Sequence, residues 1–571
     1  MAGTRICLGF ALILSVSLFA CGDDGSSSGD PDAGLGGPRS PFPEQYCPGS
    51  DACSGTGDGV FRVGAARAKI TPNLADYESK WDDANGNHEY DSGETFTDTN
   101  GNNKFDAVWI AGFGNGRPAT GVHSDQWARA IVFEYNDIRI GYVVIDAVGW
   151  FANDADEIRA RVDPSLQLDH VIVGSTHVHE AFDTIGLWGV MELVTGVDPD
   201  YMSFVEDQAA QALADATGKL KAVTLTVAQV DTVDENGNSI PEWVGDGRDP
   251  VIIDPTMTIM QFLSVANPGT TVATVVHWAA HPEYSGSDNN ELTADYPYLL
   301  RDVIENGIAE NTARGLPAMA GLGGEVLYVN GAVGGQIGPK HTQPIGLDGN
   351  PVTSDGVEKS DALGRNLGRL ALETITDSTK TTDYTNLNLV FRTGITDLAV
   401  ENTFYHVGAL VGVFDREFFG YDDTQPIGPG NIPYIESRVS YLQIGPVGII
   451  TCPGELHPEL SVGGYDGSRT YGDDLIDANN PNPPAIENAP GGPYLKDLLE
   501  MNDGVKYALV FGLTEDFVGY IPPAYNYILD ANSPYIEEAE GDHYEETNSV
   551  GPQVEAQAVG AMRDLITWKP N

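Results

Sequence analysis

Short, continuously apolar runs rich in β-branched residues recur along the chain and set its expected architecture. IRIGYVVIDAV (138–148), HVIVGS (170–175), TTVATVVHWAA (270–280), EVLYVNGAV (325–333), VGIIT (447–451) and KYALVFGL (506–513) lack a regular alternation of polar positions. Runs of this kind predict strands buried on both faces rather than half-solvated ones. DYPYLLRDVIENGIAE (295–310) and QVEAQAVGAMRDLI (553–566) instead return apolar residues at helical spacing. The interleaving predicts an α/β fold, with layered β-sheets flanked by helices in a single large catalytic domain over residues 61–571. No repeat of solenoid period is present.

The amino terminus follows another pattern. A short basic start precedes the apolar run from Ile6 to Phe19, then Ala20 and Cys21. That run is too short to span a bilayer comfortably, and its layout predicts a lipoprotein signal peptide over 1–20, with Cys21 lipidated after cleavage. Residues 21–60 open as GDDGSSSGDPDAG after the cysteine and predict a flexible Gly/Ser/Asp tether. Within it, Cys47 and Cys53 flank Pro48-Gly49 and predict a small disulfide loop, consistent with an oxidising compartment. Cys452, behind the apolar VGIIT, is expected to be a buried thiol. The expected location is therefore outside the cytoplasm, lipid-anchored to the cell envelope, in the periplasm or on the outer surface.

Charge narrows the partners. The 571 residues carry 83 acidic and 30 basic side chains, a formal net charge of −53. Such a surface repels phosphate backbones, which excludes nucleic acid as a partner, and makes anionic membranes poor ones without a separate anchor. A 41% hydrophobic content excludes global disorder.

The candidate chemistry lies where the apolar runs stop. HVIVGS leads into Thr176-His177-Val178-His179, whose two histidines would share a face if the strand continued. TVVHWAAH ends at His281, VGIITCPGE at Glu455, and ALVFGLTEDFVGY at Tyr520, followed by Pro522-Pro523, Tyr525 and Tyr527. Ligands collect beyond the carboxyl ends of strands in open α/β sheets, and His, Glu and Tyr donors there suit a divalent metal. His277 lies inside a run and is expected to pack; His457 is a reserve ligand. The segment 81–109 holds a second constellation. Asp83, Asn85, Asn87, Glu89, Asp91 and Glu94 occupy positions 1, 3, 5, 7, 9 and 12 of an EF-hand-like loop, and Asp98, Asn100, Asn102 and Asp106 begin another. This oxygen-rich spacing predicts structural calcium; a weaker series is Asp234, Asn236, Asn238 and Glu242.

From Phe61 to Leu565 the chain resembles the neutral/alkaline non-lysosomal ceramidases. The resemblance rests on FRVGAARAKITP (61–72), GVHSDQWARAIVF (121–133), GSTHVHEAFD (174–183), VVHWAAHPEYSG (275–286) with ELTADYPYLL (291–300), ITCPGELHPEL (450–460), and GLTEDFVGYIPPAYNY (512–527) followed by HYEE (543–546). It implies a zinc site of His177, His281, Glu455 and Tyr527, with Tyr525 as the alternative tyrosine and His179 serving the reacting water. His123 and Arg248 are further candidates near substrate. The implied function is that of an exported zinc-dependent amidohydrolase cleaving the N-acyl amide of ceramide or a related lipid. The alternative is a calcium-stabilised surface binding lipoprotein with an altered site. The chain departs from the family at NGAVGGQIGPK (330–340), where Gly335 and Gly338 stand in place of the family's Asp and Ser, and in lacking a carboxy-terminal β-sandwich after the last helical stretch. Both departures point to an altered substrate.

Overall fold

Strands that are apolar on both sides need cover on both sides, and two stacked sheets with helices on their outer faces supply it. The computed structural model describes residues 36–50, 53–232, 243–339 and 342–570. The larger sheet has nine strands, in the spatial order Glu325–Asn330, Thr271–Trp278, Thr256–Ser264, Lys221–Asp231, Phe61–Lys69, Trp127–Tyr135, Ile138–Ile145 and His170–Ser175, with Thr381–Tyr384 also paired to Lys221–Asp231. The smaller has six: Gly37–Pro38, Leu389–Ala399, Tyr434–Ile444, Val447–Thr451 and Tyr507–Phe511 in order, with Gln45–Cys47 also on Leu389–Ala399.

Between the sheets lies a dry core in which Phe133, Tyr142 and Phe262 of one sheet meet Phe391, Leu442, Ile449 and Phe511 of the other. The larger sheet is covered outside by Ala152–Arg161 and Pro199–Thr217, and by Asp295–Asn306 and Val357–Ile375. Leu495–Glu500 and Gly560–Thr567 cover the smaller one. The layered α/β expectation holds.

All six apolar runs are strands, and they form three parallel pairs: Ile138–Ile145 with His170–Ser175, Thr271–Trp278 with Glu325–Asn330, and Val447–Thr451 with Tyr507–Phe511. Each pair ends level, at Ile145↔Ser175, Trp278↔Asn330 and Thr451↔Phe511. A bridge between Gly174 and Thr514 ties the end of one pair to that of another across the two sheets. The carboxyl ends are thereby gathered, and the site grows there.

Within the stretch 21–60, expected as a tether, the described residues pair with the smaller sheet. From Gly37 the chain is already sheet: Gly37–Pro38 pairs with Asp397 and Thr396, and Gln45–Cys47 with Thr393, Arg392 and Phe391. Backbone pairing and the burial of Cys47 and Cys53 fix this stretch despite its polar composition. Cys47 and Cys53 form the expected disulfide, and Cys452 is buried, its thiol pushed up to about 12 by burial. Cys21 and the signal over 1–20 lie outside the described residues, as does the series Asp234, Asn236, Asn238 and Glu242. Among the described residues, no helix is long and apolar enough to cross a membrane.

Candidate metal centre

The strand Glu455–Leu456, two residues long, runs parallel to Tyr520–Ile521 with Glu455 directly opposite Tyr520. His177 and His179 follow the end of His170–Ser175, and His281 follows Thr271–Trp278. Chain direction thus delivers His, Glu and Tyr donors to one point from four strands.

His177 and His179 do not meet by strand alternation. The strand stops at Ser175, and His177 sits at a φ of 68°, in the left-handed region that a non-glycine residue adopts at a cost. That kink turns His177 back toward the other donors, so that its Nε2 lies 3.4 Å from His179 Nε2. Among the described residues, the one group of three or more His, Cys, Asp or Glu whose ligand atoms converge is His177, His179 and His281, all within 4.8 Å and all buried.

Glu455 closes the cluster. Its Oε2 is 3.2 Å from His177 Nε2 and 3.0 Å from His281 Nε2, and the Tyr520 hydroxyl is 3.3 Å from the same His281 atom. Donors bound at zinc distances of about 2.0–2.1 Å in a tetrahedron stand about 3.3 Å apart, so the spacing fits such an ion. The tautomers fit as well. His177 Nδ1 is 2.6 Å from the Val148 carbonyl and His281 Nδ1 is 3.2 Å from that of Gln336. A proton on each Nδ1 leaves both Nε2 lone pairs free for a metal. Burial works against the charge on Glu455, but His177 and His281 outweigh it and hold the carboxyl well below its ordinary range. His179 is pushed well down by burial and by the two other imidazoles; its Nδ1 lies 3.2 Å from Glu283 Oε2.

The tyrosine that the fold brings to the cluster is Tyr520, and the expected Tyr527 lies away from it. Pro522-Pro523 and the turn Ala524–Asn526 carry the chain away, and the Tyr527 hydroxyl donates to the Glu546 carbonyl at 3.3 Å. Tyr525 packs edge-on against Tyr465 instead. Tyr520 shares a short hydrogen bond with Tyr544, which also lines the cleft over the cluster. Tyr520→Phe is expected to weaken metal affinity about 10–100-fold, the scale of lost ligand support, whereas Tyr527→Phe leaves it within about twofold; zinc titration against a chromogenic chelator reads both.

Two expected substrate residues lie elsewhere. Arg248 is buried, and both its terminal nitrogens are engaged: they donate to Glu545 and Glu546 at 2.8, 2.8 and 2.7 Å and to the Asn526 carbonyl at 2.7 Å. This is a structural ion-pair network, drawn together because three buried charges need one another. His123 Nε2 lies 3.1 Å from Asp361 and lines a separate surface hollow with Arg67, Tyr298 and Asp302. His277 packs as expected, stacked on Phe511 with Nε2 2.8 Å from the Val510 carbonyl. His457 is buried near Tyr520, with ring centroids 6.3 Å apart, and stays outside the converging group.

Sequence reasoning missed Gln336. Its carbonyl accepts from both His281 N–H, at 3.1 Å, and His281 Nδ1, and its side chain accepts from Asp254 N–H at 2.7 Å. It sits inside the segment singled out for its glycines, whose missing side chains are explained by crowding. A Cβ at Gly335 would lie 2.3 Å from Asp246 Oδ1, and one at Gly338 2.5 Å from the Tyr284 ring. The room beside these two glycines is filled by Asp246 and Tyr284.

The acidic loops are closed on themselves. The Asp83 carboxylate accepts from the N–H groups of Gly86, Asn87 and His88 at 2.6, 3.2 and 3.0 Å, and Glu94 accepts from those of Ala84 and Asp91 at 2.9 and 3.0 Å. Asn85 and Asn87 donate to Asp91, and Asn87 to Glu89. In the second loop Asp98 accepts from Gly101 and Asn103 at 2.6 and 2.9 Å, while Asn100 and Asn102 donate to Asp106. Glu78, twenty residues before Asp98, takes the place of Glu94, accepting from the N–H groups of Thr99 and Asp106 at 2.8 and 2.7 Å. Tyr90, Phe105 and Trp109 form a small core between the loops.

No family model matches the sequence, and no curated protein matches it either. Solved structures do. The fold is similar to that of neutral ceramidase from Pseudomonas aeruginosa, with a TM-score of 0.58 at 14% identity over 89% of this chain and 74% of that one. It is also similar to a ceramidase complexed with C2, with a TM-score of 0.56 at 13% identity over 89% of this chain and 75% of that one. At these identities the likeness establishes the fold.

Proposed function

We propose that this protein is an exported, lipid-anchored hydrolase that uses a zinc ion held by His177, His281, Glu455 and Tyr520 to cleave the N-acyl amide of ceramide or a related lipid. The observation that carries this reading is the 3.0–3.3 Å spacing of those donors at the floor of a cleft. A zinc ion there would supply a Lewis acid that acidifies water and polarises a carbonyl. His177 and His281 present neutral Nε2 atoms, and Glu455 supplies the negative charge that a divalent ion requires. His179, beside the cluster and neutral, is placed to take a proton at Nε2 and pass it to a leaving amine. Glu283, at its Nδ1, steadies the imidazolium that forms in between. Phe113, edge-on to His179 with ring centroids 5.4 Å apart, keeps water from its other side.

Asp246 and Tyr284 fill the room beside Gly335 and Gly338, which supports a head-group preference different from that of the resembled enzymes. A panel of fluorogenic N-acyl lipids and simple acyl esters tests the reading. Zinc-dependent turnover of an N-acyl or ester substrate above that of ceramide is expected, with loss in His179→Ala. Ceramide turned over far above every other substrate would overturn the altered preference. Zinc-loaded protein inactive on the whole panel would favour a binding lipoprotein.

Calcium in the loops around Asp83 and Asp98 belongs to the same proposal, as a structural ion. The loops brace the segment 110–116 that lies against His179, through the Tyr90 N–H bonded to the Gly116 carbonyl at 2.7 Å and a Cβ clearance of 2.4 Å between Gly112 and His179. Ions bound only by the native state stabilise it by mass action, so a calcium-selective chelator is expected to lower Tm by about 3 °C or more. Asp83→Asn with Asp98→Asn removes that response in differential scanning calorimetry.

A further inference from the structure

The cleft above the cluster, about 460 Å³, has an unusual rim. Leu187, Trp188 and Leu193 line it from one segment, Phe404, Tyr405 and Val413 from a second, and Ile536 from a third. Beside those lining residues each segment turns large apolar side chains out to solvent. Met191, Leu193 and Val194 are 40–44% exposed, Leu410 68% and Ile536 73%. Half of the large apolar residues exposed on the described surface belong to these three segments.

The local structure holds them outward. Met191–Val194 is a turn closed by a 3.1 Å bond from Val194 N–H to the Met191 carbonyl, and Leu193 sits at its tip with a φ of 60°, a conformation that bulky residues avoid. The helix Thr403–Leu410 would be expected to turn polar side chains outward. It instead exposes Val407 and Leu410, with Val411 next, and TFYHVGALVGVF (403–414) contains no acidic, lysine or arginine residue. An apolar collar carried by three segments that line one cleft marks an interaction surface.

Charge selects the occupant. Glu192, Glu537 and Glu538 are exposed within the collar, and the chain carries a net charge of −53. A second copy would meet the same negative field, and an anionic bilayer would be repelled, whereas choline head groups present cations to those carboxylates.

We propose that the collar formed by Met191–Val194, Val407–Val411 and Ile536 docks the cleft mouth onto a zwitterionic lipid surface, so that an acyl lipid passes from the surface into the cleft. This deepens the proposed function and rests on it only for the fate of the lipid. The test is partition of the full chain onto phosphatidylcholine vesicles, read by flotation, together with turnover of a soluble short-chain substrate. Met191→Asp with Leu410→Asp, neither of which lines the cleft, is expected to lower vesicle partition about tenfold or more, the scale of losing two anchoring side chains. Turnover of the soluble substrate stays within twofold. Val265→Asp with Met501→Asp, exposed apolar residues of other segments, leaves both unchanged. Equal loss in both double variants, no loss in either, or a change in dimerisation by light scattering without a change in partition would overturn the proposal. So would tighter binding to phosphatidylglycerol vesicles. Vesicle binding that depends on the collar without turnover of any substrate would leave the docking in place and remove the hydrolase.

Discussion

His281→Ala is expected to lower kcat/KM by about 1,000-fold or more while leaving the fold intact. A zinc ion held by the cluster would supply several kcal/mol of charge stabilisation, and about 4 kcal/mol corresponds to that factor in rate. His281 is the vertex common to most of the cluster, 3.0 Å from Glu455 and 3.3 Å from Tyr520. Its removal leaves Glu455 facing His177 alone. The side chain lies beyond the strand end rather than in the core between the sheets, so its loss opens no large apolar cavity there. Far-UV circular dichroism should match the wild type. A variant that kept more than a tenth of the wild-type rate would put the chemistry elsewhere.

Arg248→Ala is expected to act on stability instead, by about 3–5 kcal/mol, because it leaves buried carboxylates without their partner. Glu545 and Glu546 are almost wholly inaccessible, and the Arg248 guanidinium is their cation. The expected signature is a lower urea midpoint, with the turnover of the remaining folded molecules reduced far less than in His281→Ala. If Arg248 bound substrate, KM would rise with the midpoint unmoved. The pairing also explains why Arg248, in RDPVIIDP (248–255), reads as a candidate near substrate from sequence alone: Glu545 and Glu546 lie nearly 300 residues downstream.

What the sequence made legible follows from burial. The six apolar runs stood out because both their faces are covered, and their ends carried the donors His177, His179, His281 and Glu455 without further information. The longest antiparallel strands were not singled out. Leu389–Ala399 and Tyr434–Ile444 interleave buried Arg392, Thr393, Asp397 and Ser440 with apolar residues, and those polar groups are paired only in three dimensions. The resemblance implies Tyr527, and likeness of sequence does not register the ladder that sets Tyr520 opposite Glu455. Gln336 and Val148 act through backbone carbonyls, which every residue possesses, so nothing in their side chains announces the role. Glu78 closes a loop that begins twenty residues later, outside any local spacing rule.

Elemental analysis of the purified protein, with zinc and calcium counted separately in the wild type and in the His177→Ala/His281→Ala double variant, tests the central claim most directly. The account predicts one zinc per chain in the wild type, none in the double variant, and the same calcium content in both. A full equivalent of zinc retained by the double variant would contradict it.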